Sequence, residues 1–295
     1  DGGHKRSRYL TDILTDYFDW VSVCPEVEAG LGTPRPAIRL VQVEDSIRVL
    51  GPDKTDHTDV LDAVADKRLP QLRREKIRGF ILKKDSPSCG MSRVRRYVGK
   101  HPQRDGVGVF AARLVKAWPN LPCEEEGRLN DSRLRENFIQ RVFTYSRWRD
   151  FVEASPTVSG LMAFHAAHKY LLLSHNQTAA RELGRLVAIA APESLPEQLE
   201  QYETRMMSAL SRPTSVKKQI NTIQHLLGFV KNELSSAEKQ EFLDLVDQYR
   251  QGIIPLITPL TMLRHHLTKV DSAWARSQVY LQPYPRGPAL RSHLK

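Results

Sequence analysis

Short strand-like runs alternate with helical ones in the first half of the chain and almost vanish from the second, and this change of period near residue 150 constrains the fold most. SVC at 22–24, AIRLVQV at 37–43 and IRGFILKK at 77–84 read as strands bounded by Gly, Pro or Asp. Between them DHTDVLDAVADKRLPQLRRE reads as a helix in which Val60, Leu61, Val64 and Leu69 approximate one apolar face. GVGVFAARLVKAWP at 106–119 reads as a helix entered from a glycine-rich turn, and PNLPCEEEGRLND as a proline-bounded loop. After residue 150 come five long helical periods, the last stopped by Gly252. The expected architecture is an α/β N-terminal domain with a Rossmann-like open sheet, residues 1–135, followed by an all-α domain, residues 136–295. The tail VYLQPYPRGPALRSHLK is expected to be extended, and no solenoid repeat is evident.

No run approaches the roughly 18–20 apolar residues of a membrane helix. Three cysteines at 24, 89 and 123 do not make a disulfide framework in a chain of 295 residues, so a cytoplasmic setting is expected. The net charge of +10 is concentrated: residues 67–116 hold 15 Lys and Arg against Glu75, Asp85 and Asp105. Such a segment is either a solvated basic surface or a surface for a polyanion such as RNA or DNA. The lone GVG lacks the further glycines of a dinucleotide fingerprint, and no nucleotide cofactor is expected.

Cys24 precedes a proline, and Cys89 lies between serines and a glycine; both leave predicted strand ends, which in an open α/β sheet converge on one edge. A core thiol, a nucleophile and a metal ligand are all open readings of such a cysteine. On the helical half, His165, His168 and His175 with Lys169 lie near one face, compatible with metal, with RNA or with packing alone. Asn221, Gln224, His225 and Lys231 make a similar polar face, and Arg205, Arg212, Lys217 and Lys218 a further basic set.

SVCPEVEAGLGTPRP (22–36), KKDSPSCG (83–90) and RDGVGVFA (104–111) resemble successive signatures of the thiouracil desulfidase family, and the opening DGGHKRS resembles the tail of its first motif. FHAAHKYLLLSH, INTIQHLLGFVK, YRQGIIPLITPLTMLRHH and QVYLQPYP are similar to the helical YbgA-type domain. The combination resembles the RudS-type desulfidases, which implies removal of sulfur from 4-thiouridine in tRNA by hydrolytic C–S cleavage at a [4Fe-4S] cluster. The resemblance makes Cys24 and Cys89 two cluster ligands and implies a third upstream of Asp1, with Cys123 left out. Glu26, two residues after Cys24, is the candidate to orient or deprotonate water, or else a helix-start or ion-pairing carboxylate, and the resemblance favours Ser86 over Ser88 as a partner of the base or developing anion. The expected RNA contacts are Arg93, Arg95, Arg96, Lys100 and Arg104, which follow the second cysteine motif, with His165, His168 and Lys169. Two other readings stay open: desulfidation of free thiouracil-type bases, and nucleic-acid binding without catalysis.

Overall fold

A computed structural model describes residues 14–285. The DGGHKRS stretch, the expected third cluster ligand and the last ten residues of the tail lie outside the described residues. The chain divides into two compact units, residues up to Asp131 and residues from Ser132.

The first unit is a mixed α/β structure. A four-residue helix α1 (Pro25–Glu28) precedes the hairpin β1 (Arg39–Val43) and β2 (Ser46–Leu50) and helix α2 (Thr58–Arg74). Then come β3 (Phe80–Leu82), the hairpin β4 (Val94–Val98) and β5 (His101–Gly106), α3 (Val109–Ala117) and β6 (Cys123–Glu125). One sheet has the order β2-β1-β4-β5, with β1 and β4 parallel and both hairpins antiparallel; β3 and β6 form a separate parallel pair. Asp56 sets the start of α2 by accepting from the Thr58 N–H (2.9 Å) and hydroxyl (2.6 Å), while the Thr58 hydroxyl accepts from Val49 N–H (2.8 Å) and ties the helix to β2. Ile38, Leu40, Val49, Leu61 and Val94 pack into one core.

Three local expectations are corrected. Residues 22–24 pair with no strand: proline at 25 holds Cys24 in extended backbone, but Cys24 is the N-cap of α1 and not a strand end. Val60 faces solvent, and Leu72 completes the buried face of α2. The loop expected over residues 119–131 contains β6, all three residues of which are buried.

The second unit is helical: α4 (Ser132–Glu153), α5 (Val158–His175), α6 (Gln177–Ala188), α7 (Leu195–Leu210), α8 (Val216–Leu227), α9 (Ser236–Gln251) and α10 (Ile257–His266). Thr157, Asn176 and Ser215 cap α5, α6 and α8, Ser235 and Glu238 make a capping box at α9, and Gly252 ends α9 with φ +81°, a conformation that glycine adopts without strain. Trp148 is fully buried, stacked on Tyr202 at 4.9 Å and edge-on to Phe164 at 5.1 Å, and its indole N–H donates to Glu203 at 2.7 Å. The described part of the tail is not simply extended: residues 279–281 form a 3-10 turn whose fully buried Tyr280 donates to Gln219 at 2.6 Å. Among the described residues no helix is long and apolar enough to cross a membrane.

His168 lies in this core, stacked on Phe164 with ring centroids 3.9 Å apart. Its Nδ1 lies 2.8 Å from the Phe164 carbonyl, which requires Nδ1 to carry the proton, and its buried Nε2 has no partner. Burial first, and then the charges of Arg147 and His165, push the ring down to about 3 from an ordinary 6.5. The folded value lies below the unfolded one, so this contribution to stability is complete above about pH 6.5 and declines as pH falls towards 3. The unfolding midpoint is expected to be level from pH 7.5 to about 6.5 and to fall from there towards pH 5 through this residue. His168→Gln should flatten that slope; an identical slope in the variant contradicts the assignment.

Candidate active site

Glu26 sits in α1, two residues after Cys24, and its carboxylate is shared between two parts of the chain. Oε2 accepts from Arg35 Nε at 2.7 Å; Oε1 accepts from the Ser88 hydroxyl at 2.6 Å and the Ser86 hydroxyl at 3.2 Å. Arg35 is held by donating to the Gly32 carbonyl (2.6 Å) and the Thr33 hydroxyl (3.2 Å), and its Nη2 lies 3.8 Å from Cys24 Sγ. Beyond Ser88, the Cys89 sulfur lies 3.5 Å from the Ser88 hydroxyl. Cys24 is exposed and Cys89 half-buried. Both sulfurs therefore flank a single polar network, although only one of them lies at a strand-derived loop.

The Ser86–Gly90 loop is positioned by backbone. Gly90 N–H donates to the Ser86 carbonyl (2.8 Å), Gly108 N–H to the Gly90 carbonyl (2.8 Å), and Phe110 and Ala111 N–H to the Ser88 carbonyl (2.9 and 3.1 Å). The first N–H groups of α3 are thus committed to loop carbonyls and are not directed at an anion. A Cβ on Gly108 would meet the Ser88 carbonyl carbon and oxygen at 2.5 Å, which is why the GVG stretch needs glycine there. From the other side, buried Glu125 accepts from Met91 N–H at 2.9 Å, and Glu126 accepts from Lys84 N–H at 2.8 Å.

The two serines differ in what they do. The Ser86 hydroxyl accepts from the N–H groups of Ser88 (3.3 Å) and Cys89 (3.1 Å), an ordinary turn-capping arrangement, besides reaching Glu26. Ser88 is almost fully buried and makes the shorter bond to Glu26. A hydroxyl has one proton, so while Ser88 donates to Glu26, its contact with Cys89 needs the thiol as donor. Burial above all, with the Glu26 and Cys24 charges adding to it, pushes the Cys89 thiol up to about 12; the Ser88 and Ser86 hydroxyls oppose this only when turned from Glu26 to donate to the sulfur. At neutral pH Cys89 is then a poor free nucleophile; a cation beside the sulfur reverses the balance.

Cys24 and Cys89 suit a thiophilic metal centre in kind. No group of three or more metal-ligating side chains is assembled among the described residues. Cys123 does not complete one: it pairs with Phe80 at the start of β3, whereas the Ser86–Cys89 loop leaves the other end of that strand.

The basic residues are separated by the hairpin. Arg95 and Arg104 are cross-strand partners and both exposed, as are Arg93 and Lys100. Like charges directly opposite repel, and both side chains turn to solvent. Arg104 also meets Asp85 at 3.6 Å. Arg96, expected to contact RNA, is held instead by Asp105 (2.7 and 3.0 Å), Gln42 (2.8 Å) and Gln103 (2.7 Å). In the helical unit, Lys169 is exposed near the Trp274 ring, His165 is half-buried with Nδ1 3.1 Å from the Tyr202 hydroxyl, and buried His168 offers no edge to a phosphate.

Residues 1–126 match the family described as 2-thiouracil desulfurase, and residues 169–285 match one described as protein of unknown function (DUF1722). The uncharacterized protein YbgA of Escherichia coli (strain K12) is 30% identical over 164 residues, covering 55% of this chain and 97% of YbgA. The chain belongs to the YbgA-like family, with a 2-thiouracil desulfurase domain ahead of it. The uncharacterized protein YbbK of Bacillus subtilis (strain 168) is 28% identical over 137 residues, covering 44% of this chain and 89% of YbbK. No solved structure matches the chain. The desulfurase domain supports an enzyme acting on thiouracil.

Sequence reasoning on the desulfurase domain missed Arg35 and Glu125. Arg35 lies nine residues from Glu26 across a glycine–proline turn, so no periodic spacing announces the pair. Glu125 stands in the acidic run CEEE, whose sign contrasts with the basic segment before it. Gly108→Ala is expected to displace the Ser88–Cys89 backbone and to cost about 1–3 kcal/mol by overpacking. Unfolding by denaturant measures this, and an unchanged midpoint would mean the loop approaches α3 less closely.

Proposed function

We propose that the chain is an iron–sulfur-dependent desulfidase that converts 4-thiouridine in tRNA to uridine. The observation that carries the reading is the Glu26 carboxylate, bonded at once to Arg35 beside Cys24 and to Ser88 beside Cys89. Cys24 and Cys89 would supply two thiolates to a [4Fe-4S] cluster, with a third from outside the described residues. When bound, the cluster would supply Lewis-acid polarisation of the carbon–sulfur bond.

The chain's own residues would handle water and protons. Glu26 is an acceptor for a proton of the attacking water: the Arg35 ion pair holds Oε2, so Oε1 takes the proton as the Ser88 hydroxyl turns from it to the oxygen forming on the carbon. Ser88, or Ser86 as its neighbour at 3.0 Å, donates a hydrogen bond to the oxygen that forms on the carbon. Water oxygen replaces sulfur on the carbon, the C–S bond breaks heterolytically, and sulfide leaves with the electron pair, so no oxidant or reductant is consumed. The exposed cations Arg93, Arg95, Lys100 and Arg104 would bind tRNA phosphates, and the thiolated base would have to leave its stack to reach the sulfurs.

The full-length protein, purified and reconstituted anaerobically, is tested by mass spectrometry of nucleosides from tRNA containing 4-thiouridine, beside an assay with free thiouracil. Cys24→Ala and Cys89→Ala are expected to abolish both activities; activity undiminished in either variant overturns the site. Arg95→Glu with Arg104→Glu is expected to raise KM for tRNA and flatten its salt dependence while KM for the free base is unchanged. Conversion of thiouracil alone would establish the free-base reading instead, and tRNA binding without either conversion would establish the noncatalytic one.

A further inference from the structure

The helical unit contains a cavity of about 330 Å³ that desulfidation does not use, lined in part by Arg147, Arg264, Arg276, Ser277, Gln278 and Gln282. Three guanidinium groups border one space, and none of the described residues lining it is acidic. Arg276 has Asp271 at 3.8 Å and donates to the Val270 carbonyl at 2.5 Å; Arg264 donates to the Thr261 hydroxyl at 3.2 Å. Arg147 donates through Nη2 to the Pro283 carbonyl, and its Nη1 is buried with no partner. Burial pushes the Arg147 guanidinium below its ordinary range, which an anion in the cavity would relieve.

Gln278 presents the opposite deficiency. Its Nε2 donates to the carbonyls of Ala166 (2.9 Å) and Trp274 (3.3 Å), which fixes the amide orientation and leaves Oε1 buried with no donor. An unpaired buried donor and an unpaired buried acceptor on a cation-rich wall define a ligand by what each lacks. Anionic oxygens satisfy the arginines, and a hydroxyl or N–H satisfies Gln278. A hydrogen phosphate dianion serves the arginines, but turning its one P–OH to Gln278 takes that oxygen from the guanidinium cluster; a phosphate ester next to a sugar hydroxyl serves both at once. The volume lies at the small end of ligand cavities, about 300–1,000 Å³, which suits one nucleotide and not a larger cofactor.

We propose that this cavity binds a ribose-phosphate group, with the phosphate among Arg147, Arg264 and Arg276 and a ribose hydroxyl donating to Gln278 Oε1. The inference is independent of the desulfidase reading, because no residue of the Cys24–Cys89 network enters it. A free ribonucleotide and one nucleotide of an RNA chain share this chemistry.

Isothermal titration of the full chain with 3′-UMP, 3′-dUMP and inorganic phosphate tests the site. The expected order of affinity is 3′-UMP, then 3′-dUMP, then phosphate, and Arg276→Glu and Arg264→Gln should each weaken 3′-UMP by at least about tenfold. Circular dichroism and the unfolding midpoint check that these variants, at exposed and half-buried positions, remain folded. Competition by a short oligouridylate supports the site with RNA as the source of the group; binding of 3′-UMP without such competition supports it with a free nucleotide. Absent 3′-UMP binding, phosphate binding as tight as 3′-UMP, or affinity unchanged in folded Arg276→Glu overturns the proposal.

Discussion

The N-terminal unit depends on how one carboxylate is divided. Glu26 gives one oxygen to Arg35 and the other to Ser88 and Ser86, and so joins a turn at residues 24–35 to a loop 60 residues away. An ion pair of this kind, with side chains 21% and 13% exposed, is drier than a surface pair and correspondingly harder to break without leaving a charge unpaired. The pair also places cationic Arg35 beside the Cys24 sulfur, with Nη2 at 3.8 Å. Cys89 lacks such a neighbour, and its burial holds the proton on sulfur. The two cysteines thus differ in surroundings while flanking one network: Cys24 is exposed beside a guanidinium and Cys89 is half-buried beside hydroxyls.

The supporting structure is arranged to keep the second loop still. Its carbonyls satisfy the first turn of α3, its N–H at Met91 is held by buried Glu125, and Gly108 lets the helix approach within van der Waals contact of the Ser88 backbone. These are backbone devices, and they explain why glycines and acids around the motifs matter as much as the residues with chemical groups.

Much of this was legible in the residues, and the failures have physical causes. The change from mixed to helical period foretold the two kinds of unit, since apolar spacing along α5 to α9 repeats over long segments and side-chain caps start α5, α6, α8 and α9. SVC was misread because proline imposes an extended backbone without supplying a strand partner, and pairing is a nonlocal property. β4 and β5 were hidden because VRRYV and HPQRDG are polar: β5 is an edge strand exposed over most of its length, and β4, though paired on both sides, buries only Val94, so neither carries an apolar alternation. Cys24, Glu26, Ser86 and Cys89 stood out as chemically capable residues, but the way Glu26 connects them did not, because the link passes through Arg35 and Ser88 in three dimensions. The surroundings of His168 and Arg96 were hidden for a related reason: charge and hydrogen-bonding capacity are visible in a sequence, whereas the bonds to Phe164, Asp105 and Gln42 are not.

A double-mutant cycle on Glu26→Gln and Ser88→Ala, read as kcat/KM for desulfidation by the reconstituted full-length protein, tests most directly whether the two cysteine motifs act as one site. If Glu26 joins them, the losses are strongly non-additive and the double variant is little worse than the poorer single one. Losses that add independently would contradict a shared carboxylate and leave the two motifs as separate features of the surface.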